Sequence, residues 1–167
     1  MPNNIILGAG VFAIGADDVG LTRGGGSLTI ERTYREIAAD NDYGPVKGRI
    51  EKTRGVAKLA MNALEILATN IPKMYPATAV TTVTGTDTIT GKASIEDADY
   101  NDTVTWTGKT KSGRSVVITL ENAINLENIE WNLVDKEEVV AALTYTATYL
   151  EESRETEPWK VVFTDAV

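Results

Sequence analysis

Asn4 to Leu7 have the texture of a strand, and Gly8-Ala9-Gly10-Val11-Phe12-Ala13 then matches the pattern G-x-G-x-x-[GA]. Glu31 closes Leu28-Thr29-Ile30-Glu31 at about the 20-residue distance of the acid that binds a ribose hydroxyl. In a dinucleotide-binding fold such glycines bring backbone N–H groups against a pyrophosphate at a helix N-terminus. That chemistry needs a helix directly after the glycines. Asp17, Asp18, Gly20 and Gly24-Gly25-Gly26 stand in its place, and each helical Gly costs about 1 kcal/mol. The rest of the chain has no alternation of strands with helices, so no doubly wound sheet follows and no cofactor is expected.

The acidic run Glu96-Asp97-Ala98-Asp99-Tyr100-Asn101-Asp102 offers oxygen ligands at alternate positions. Counted as an EF-hand loop from Asp97, however, it puts Asp102 where glycine is required and Gly108 where the bidentate Glu belongs. A solvated turn is expected there, and no metal. Paired carboxylates at Asp17/Asp18 and Glu137/Glu138 would suit acid–base chemistry. Neighbours on a strand point to opposite faces, so such pairs need not converge on one substrate. Histidine and cysteine are both absent, which removes histidine bases, thiol nucleophiles, iron–sulfur clusters and Cys- or His-ligated zinc. Arg49, Lys52, Arg54 and Lys58 imitate a phosphate-binding strip, but their spacing divides them between two faces and Glu51 interrupts them. They are read as a salt-bridged sheet or a subunit interface. Trp106, Trp131 and Trp159 are expected as core or interface anchors. No catalytic set emerges, and the chain is not expected to be an enzyme.

The elements that would carry these residues are strands. Thr, Val and Ile number 22, 15 and 13 of 167 residues, and such β-branched side chains favour a pleated, half-buried surface. That length suits one domain, spanning 1–167, that needs no disulfide or metal staple. Net charge is −8 with a pI near 4.6, which opposes a grip on nucleic acid or anionic membrane. Nearly all of that excess falls in Glu121–Val167. The N-terminus has no basic n-region, and no run reaches the length of a spanning helix. The whole chain is thus expected as the mature form, folded in a cytoplasm without a membrane.

Val11–Gly15 reads as a first strand and Gly20–Gly26 as a glycine loop. Ser27–Ala38 and Val46–Met61 alternate with period two around the turn residues Asp40 to Pro45, predicting a long hairpin that reaches beyond its own core. Asn62–Ile71 places Leu64, Leu67, Ala68 and Ile71 on one helical stripe, stopped by Pro72. Thr78–Ala93 reads as strand–turn–strand, and Thr103–Lys109 with Arg114–Leu120 as a hairpin about Lys111-Ser112-Gly113. Asn128–Val134 alternates through Ile129, Trp131 and Leu133 as a further strand. Asp135 with Glu138 imitates a capping box, yet strict alternation over Thr144–Tyr149 favours a strand across Asp135–Leu150. Glu151–Glu157 is a charged link, and Pro158–Phe163 a last strand. The fold class is therefore mainly β, a β-sandwich or barrel with a long hairpin and one short flanking α-helix.

The opening GAGVFAIGADDVGLTRGGGSLTIERTYREI, the turn DNDYGPVKGRI, the following VAKLAMNALEIL and the closing TYTATYLEESRETEPWKVVF occur in an order that resembles the tail tube (major tail) proteins of long-tailed bacteriophages. The resemblance covers most of the chain through order, length and texture, and Thr78–Asn128 matches only as generic strands. It implies a structural virion protein, assembled in the bacterial cytoplasm, whose homohexameric rings stack into a tube that conducts DNA without binding it. Tape-measure, tail-tip and tail-terminator proteins would be its partners. By the same resemblance Asp40, Asn41, Asp42, Tyr43, Gly44 and Pro45, with Glu151, Glu152, Arg154 and Glu155, are ring-to-ring candidates. The long hairpin would form the tube wall, with Glu31, Arg35, Arg49, Glu51, Lys52 and Arg54 as tube-wall or inter-subunit candidates. Six subunits giving about four strands each, at ~4.8 Å spacing and ~45° tilt, would close a barrel roughly 50 Å across. Two other classes stand beside this one: a β-sandwich binding or adhesion module, carbohydrate-binding or immunoglobulin-like, and a hydrolase using carboxylates alone.

Overall fold

A computed structural model describes residues 4–165. It is mainly β, with one large antiparallel sheet, a separate two-stranded hairpin and one short helix. The strands are β1 (Ile6–Ile14), β2 (Asp17–Asp18), β3 (Thr22–Glu36), β4 (Ile50–Ala63), β5 (Thr78–Val83), β6 (Thr86–Gly91), β7 (Asn101–Thr110), β8 (Ser115–Asn125), β9 (Ala141–Ala147) and β10 (Trp159–Thr164), and the helix is α1 (Ile71–Met74). The large sheet runs β2-β1-β7-β8-β9-β4-β3, with β10 branching from β8, while β5 and β6 pair only with each other. The sheet curls until β3 meets β1, where a Cβ on Gly26 would strike the Phe12 ring.

Alternation decides what the curled sheet encloses. Ala57, Leu59, Met61 and Ala63 of β4 are buried on the same face as Leu143 and Tyr145 of β9. They pack in one core with Phe12, Ile14, Val104, Trp106, Val116 and Leu120 of the facing layer. Each large apolar side chain removed from water contributes about 1.5–3 kcal/mol. The opposite registers, such as Val56 and Lys58, fall on the outer face. Beneath the core, the Asn125 amide donates to the Met74 carbonyl at 2.8 Å, and the Tyr145 hydroxyl to the Lys73 carbonyl at 3.0 Å. These two bonds seat α1.

β8 changes partner halfway. Along Ser115–Leu120 it pairs with β10, and along Ala123–Asn125 with β9. Between them Asn122 takes a positive φ of 49°, and its carbonyl accepts the Thr148 N–H and hydroxyl. β9 is therefore short, and β4 has it as a neighbour only from Lys58 to Ala63. The first half of β4 pairs with β3 alone. Glu31–Glu36 and Ile50–Arg54 are exposed throughout, so the hairpin projects past the core as a two-stranded arm.

Several local expectations give way to tertiary pairing. The glycine loop over Gly20–Gly26 is mostly strand: β3 starts at Thr22, and Gly24 and Gly25, at φ +84° and +71°, make a bulge in its pairing with β4. The helix expected over Asn62–Ile71 is displaced, because Asn62 and Ala63 stay in β4 opposite Ala142 and Ala141. A 3₁₀ turn spans Ala68–Asn70, and Pro72 sits in the first turn of α1, where its missing N–H costs nothing. Pro72 thus opens the helix instead of stopping it. Val46–Arg49 belongs to the loop before β4, and Asn128–Val134 is not a strand. Asp135–Val140 is irregular as well, leaving only Ala141–Ala147 of the strand expected there.

Gly10 and Gly108 face each other across β1 and β7, and the Trp106 indole lies over both. A Cβ on Gly108 would overlap that ring. Gly108→Ala is expected to destabilise the fold by about 1–3 kcal/mol, read as a lower urea midpoint with an unchanged slope.

Candidate functional site

The sequence-derived candidates divide between the arm and the link that precedes β10. Asp40, Asn41, Asp42, Tyr43, Gly44 and Pro45 lie in the loop at the arm's tip. Asp42 organises that loop: its carboxylate accepts the Ala39 N–H at 2.8 Å and the Arg49 guanidinium at 2.9 Å. Asn41 adopts φ +68° beside it, and Tyr43 is completely exposed. Arg49, placed with the tube-wall candidates from sequence, is thereby part of the tip.

Where the arm leaves the core Lys58 pairs with Glu31 at 3.3 Å, and on the arm Arg35 pairs with Glu51. Exposed pairs of this kind contribute about 0–1 kcal/mol each, so they decorate the arm more than they hold it. Arg54 makes no ion pair among the described residues. Glu151 and Arg154 pair with each other at 2.7 Å, both well exposed, while Glu152 and Glu155 face solvent. The two groups of ring-to-ring candidates are not brought together, since 151–155 lies at the arm's root and 40–45 at its tip. A cleft of about 730 Å3 opens between the link and Lys52–Val56 of β4.

Glu157, read from sequence as one more charge in a solvated link, is what fastens the arm. Its side chain is only 16% exposed. It accepts the Lys52 ammonium at 2.6 Å, the Arg32 guanidinium at 3.4 Å and the Trp159 indole N–H at 2.8 Å. One carboxylate therefore joins β3, β4 and the start of β10. The Lys52 hydrogen bond holds its pKa below the ordinary 4.5, outweighing partial burial, with the Trp159 N–H and the Arg32 charge adding to the effect. Arg32 also stacks over the Trp159 ring at 5.9 Å. Gly55 permits this approach, because a Cβ there would meet the Glu157 carboxylate at 2.5 Å. The Gly55 carbonyl accepts the Tyr149 hydroxyl at 2.8 Å. Direct adjacency to Pro158-Trp159 is the one trace of this role in the sequence.

The remaining chemistry-bearing residues lie in strands, turns and ion pairs. Gly8–Ala13 lies inside β1, and no helix follows it. In the acidic run, Asp99 is buried in a 3₁₀ turn. Burial opposes its charge, but the N–H groups of Glu96 and Ala77 and the Lys92 ammonium outweigh it and lower its pKa. Lys92 is correspondingly raised, first by its hydrogen bond to Glu96. Asp17 pairs with Lys73 and Glu138 with Arg23. Among the described residues no three acidic side chains gather to hold a metal ion, and no helix is long and apolar enough to cross a membrane. Trp106 is buried in the core, Trp159 packs against it from the arm's root, and Trp131 is partly exposed with its N–H directed to the Tyr75 hydroxyl at 3.3 Å.

No known family model matches the chain, and no curated protein is significantly similar to it in sequence.

Because Glu157 has a lowered pKa in the fold, its contribution is complete above the unfolded value near 4.5 and is lost as pH falls through the folded value. Glu157→Gln is expected to cost about 1–3 kcal/mol at neutral pH. It should also flatten the decline in stability below pH 4.5, as measured by urea titrations across an acid pH series.

Proposed function

We propose that this protein is a structural subunit that polymerises, a tail tube protein whose rings stack into a conduit for phage DNA. The arm carries this reading. Two strands of 15 and 14 residues, the first with no fully buried residue and the second exposed over its first five, give a monomer little return for ordering them. Their outer edges leave unpaired N–H and C=O groups, a hazard that a soluble monomer normally blunts and a closed ring removes. Ion pairs along the exposed faces keep the arm soluble before assembly, while the Glu157 contacts hold it at a set angle to the core.

The acidity of Glu121–Val167 contributes less to this reading than the composition suggests. Glu127, Glu130, Asp135, Glu137 and Glu138 lie between β8 and β9, and Glu151, Glu152 and Glu155 lie on the link before β10. They are segment charges, not the lining of one sheet face, so repulsion of DNA by the lumen is not what supports a conduit.

Concentrated purified protein should form rings or tubes on the order of 100 Å across in negative-stain images, the ~50 Å barrel being surrounded by the outer parts of the subunits. A monomer at every concentration would count against the proposal. Tyr43→Ala removes a side chain that touches nothing in the monomer. It should leave the circular dichroism spectrum and melting temperature unchanged while reducing tube length.

A further inference from the structure

Residues 126–140 join β8 to β9 without a helix or strand, and connections of this length with no structure of their own are uncommon in compact domains. Within them Asn128–Val134 has the alternation of a half-buried strand, yet Ile129 is 56% exposed and Leu133 80%. No backbone–backbone hydrogen bond forms to Asn128–Leu133 among the described residues. The segment has the side-chain pattern of a strand and no neighbour to pair with.

The molecule also has an edge without a strand. From Ile50 to Ala57, β4 pairs with β3 on one side only; on the other the Tyr149 hydroxyl donates to the Gly55 carbonyl, and the cleft of about 730 Å3 runs beside the edge. The charges are complementary. Residues 126–138 carry five acidic side chains and one lysine, and of these acids only Glu138 has an ion pair among the described residues. Residues 47–56 carry four basic side chains and one glutamate. Among the described residues Arg54 has no ion pair, and Lys52 shares the single Glu157 carboxylate with Arg32. The segment's own contacts hold it away from its own arm. Trp131 bonds to Tyr75 beside α1, and Glu138 pairs with Arg23 near the start of β3, at the end of the hairpin opposite the tip.

We propose that Asn128–Val134 is added as a strand to the Ile50–Ala57 edge of β4 in a second copy of the chain. Backbone hydrogen bonds would give the contact its strength, and Glu130 with the flanking Glu127 and Asp135, set against the Arg54 edge, its direction. The contact is heterologous, donor at one end of the molecule and acceptor at the other, so it propagates from copy to copy. It rests on the assembly reading only in taking a second copy as the partner.

The absence of cysteine makes the test direct. Asn132→Cys and Val56→Cys copies, each checked for a native circular dichroism spectrum, are mixed at high concentration under mild oxidation and imaged in parallel. A disulfide-linked mixed dimer is expected, absent when Val56→Cys is replaced by Thr105→Cys and lost when Arg54→Glu is added to the acceptor. Rings or tubes without that dimer overturn the strand addition and leave the tube reading standing. The dimer in open chains with no rings supports the strand addition and overturns the ring. Neither dimer nor assembly overturns both, and cross-linking to Thr33→Cys in place of Val56→Cys overturns the assignment to β4.

Discussion

β8 cannot keep one neighbour along its whole second edge, and much of the architecture depends on that. At Asn122 the chain adopts a positive φ, and the carbonyl there turns to accept two hydrogen bonds from Thr148. β10 takes the first part of the edge and β9 the last three residues. A short β9 leaves β4 without a partner before Lys58. The arm, its open edge and the cleft at its root all follow from this division.

An arm held only by its own hairpin pairing would swing, because a two-stranded ribbon is marginally stable in water. Glu157 opposes this by binding one cation from each strand of the arm and the indole at the start of β10. The Glu157 side chain is 16% exposed and its two cations 40% and 43%, so these bonds are charge-assisted but partly open to solvent. Glu31–Lys58 and Arg35–Glu51 differ in kind, lying on exposed faces where solvent and salt weaken them. The arm is thus fastened at its root and charged along its length, as the proposed assembly requires.

Much of the strand content is legible in residue order, because alternation and turn chemistry act over a few residues. The hairpin about Lys111-Ser112-Gly113, the β5–β6 pair and the last strand after Pro158 were of this kind. Asn62–Ile71 was not, since Asn62 and Ala63 stay paired with Ala142 and Ala141, and the Leu64 and Glu65 N–H groups go to the Leu21 carbonyl. Asn128–Val134 shows the converse, a strand pattern that finds no partner within the monomer. Among the candidate residues, Asp40–Pro45 and the arm charges were placed from sequence as a loop and a two-faced strand pair. Glu157 was not singled out, because its three partners are 2, 105 and 125 residues away along the chain.

By itself the sequence determined a mainly β chain with a long hairpin, a short helix and no histidine or cysteine chemistry, since composition and period-two patterning are local properties. Only the tertiary structure decided where the hairpin leaves the core, which carboxylate fastens it and which strand pattern remains unpaired. Those outcomes depend on competition among strands for edges, and that competition is settled between residues far apart in the chain.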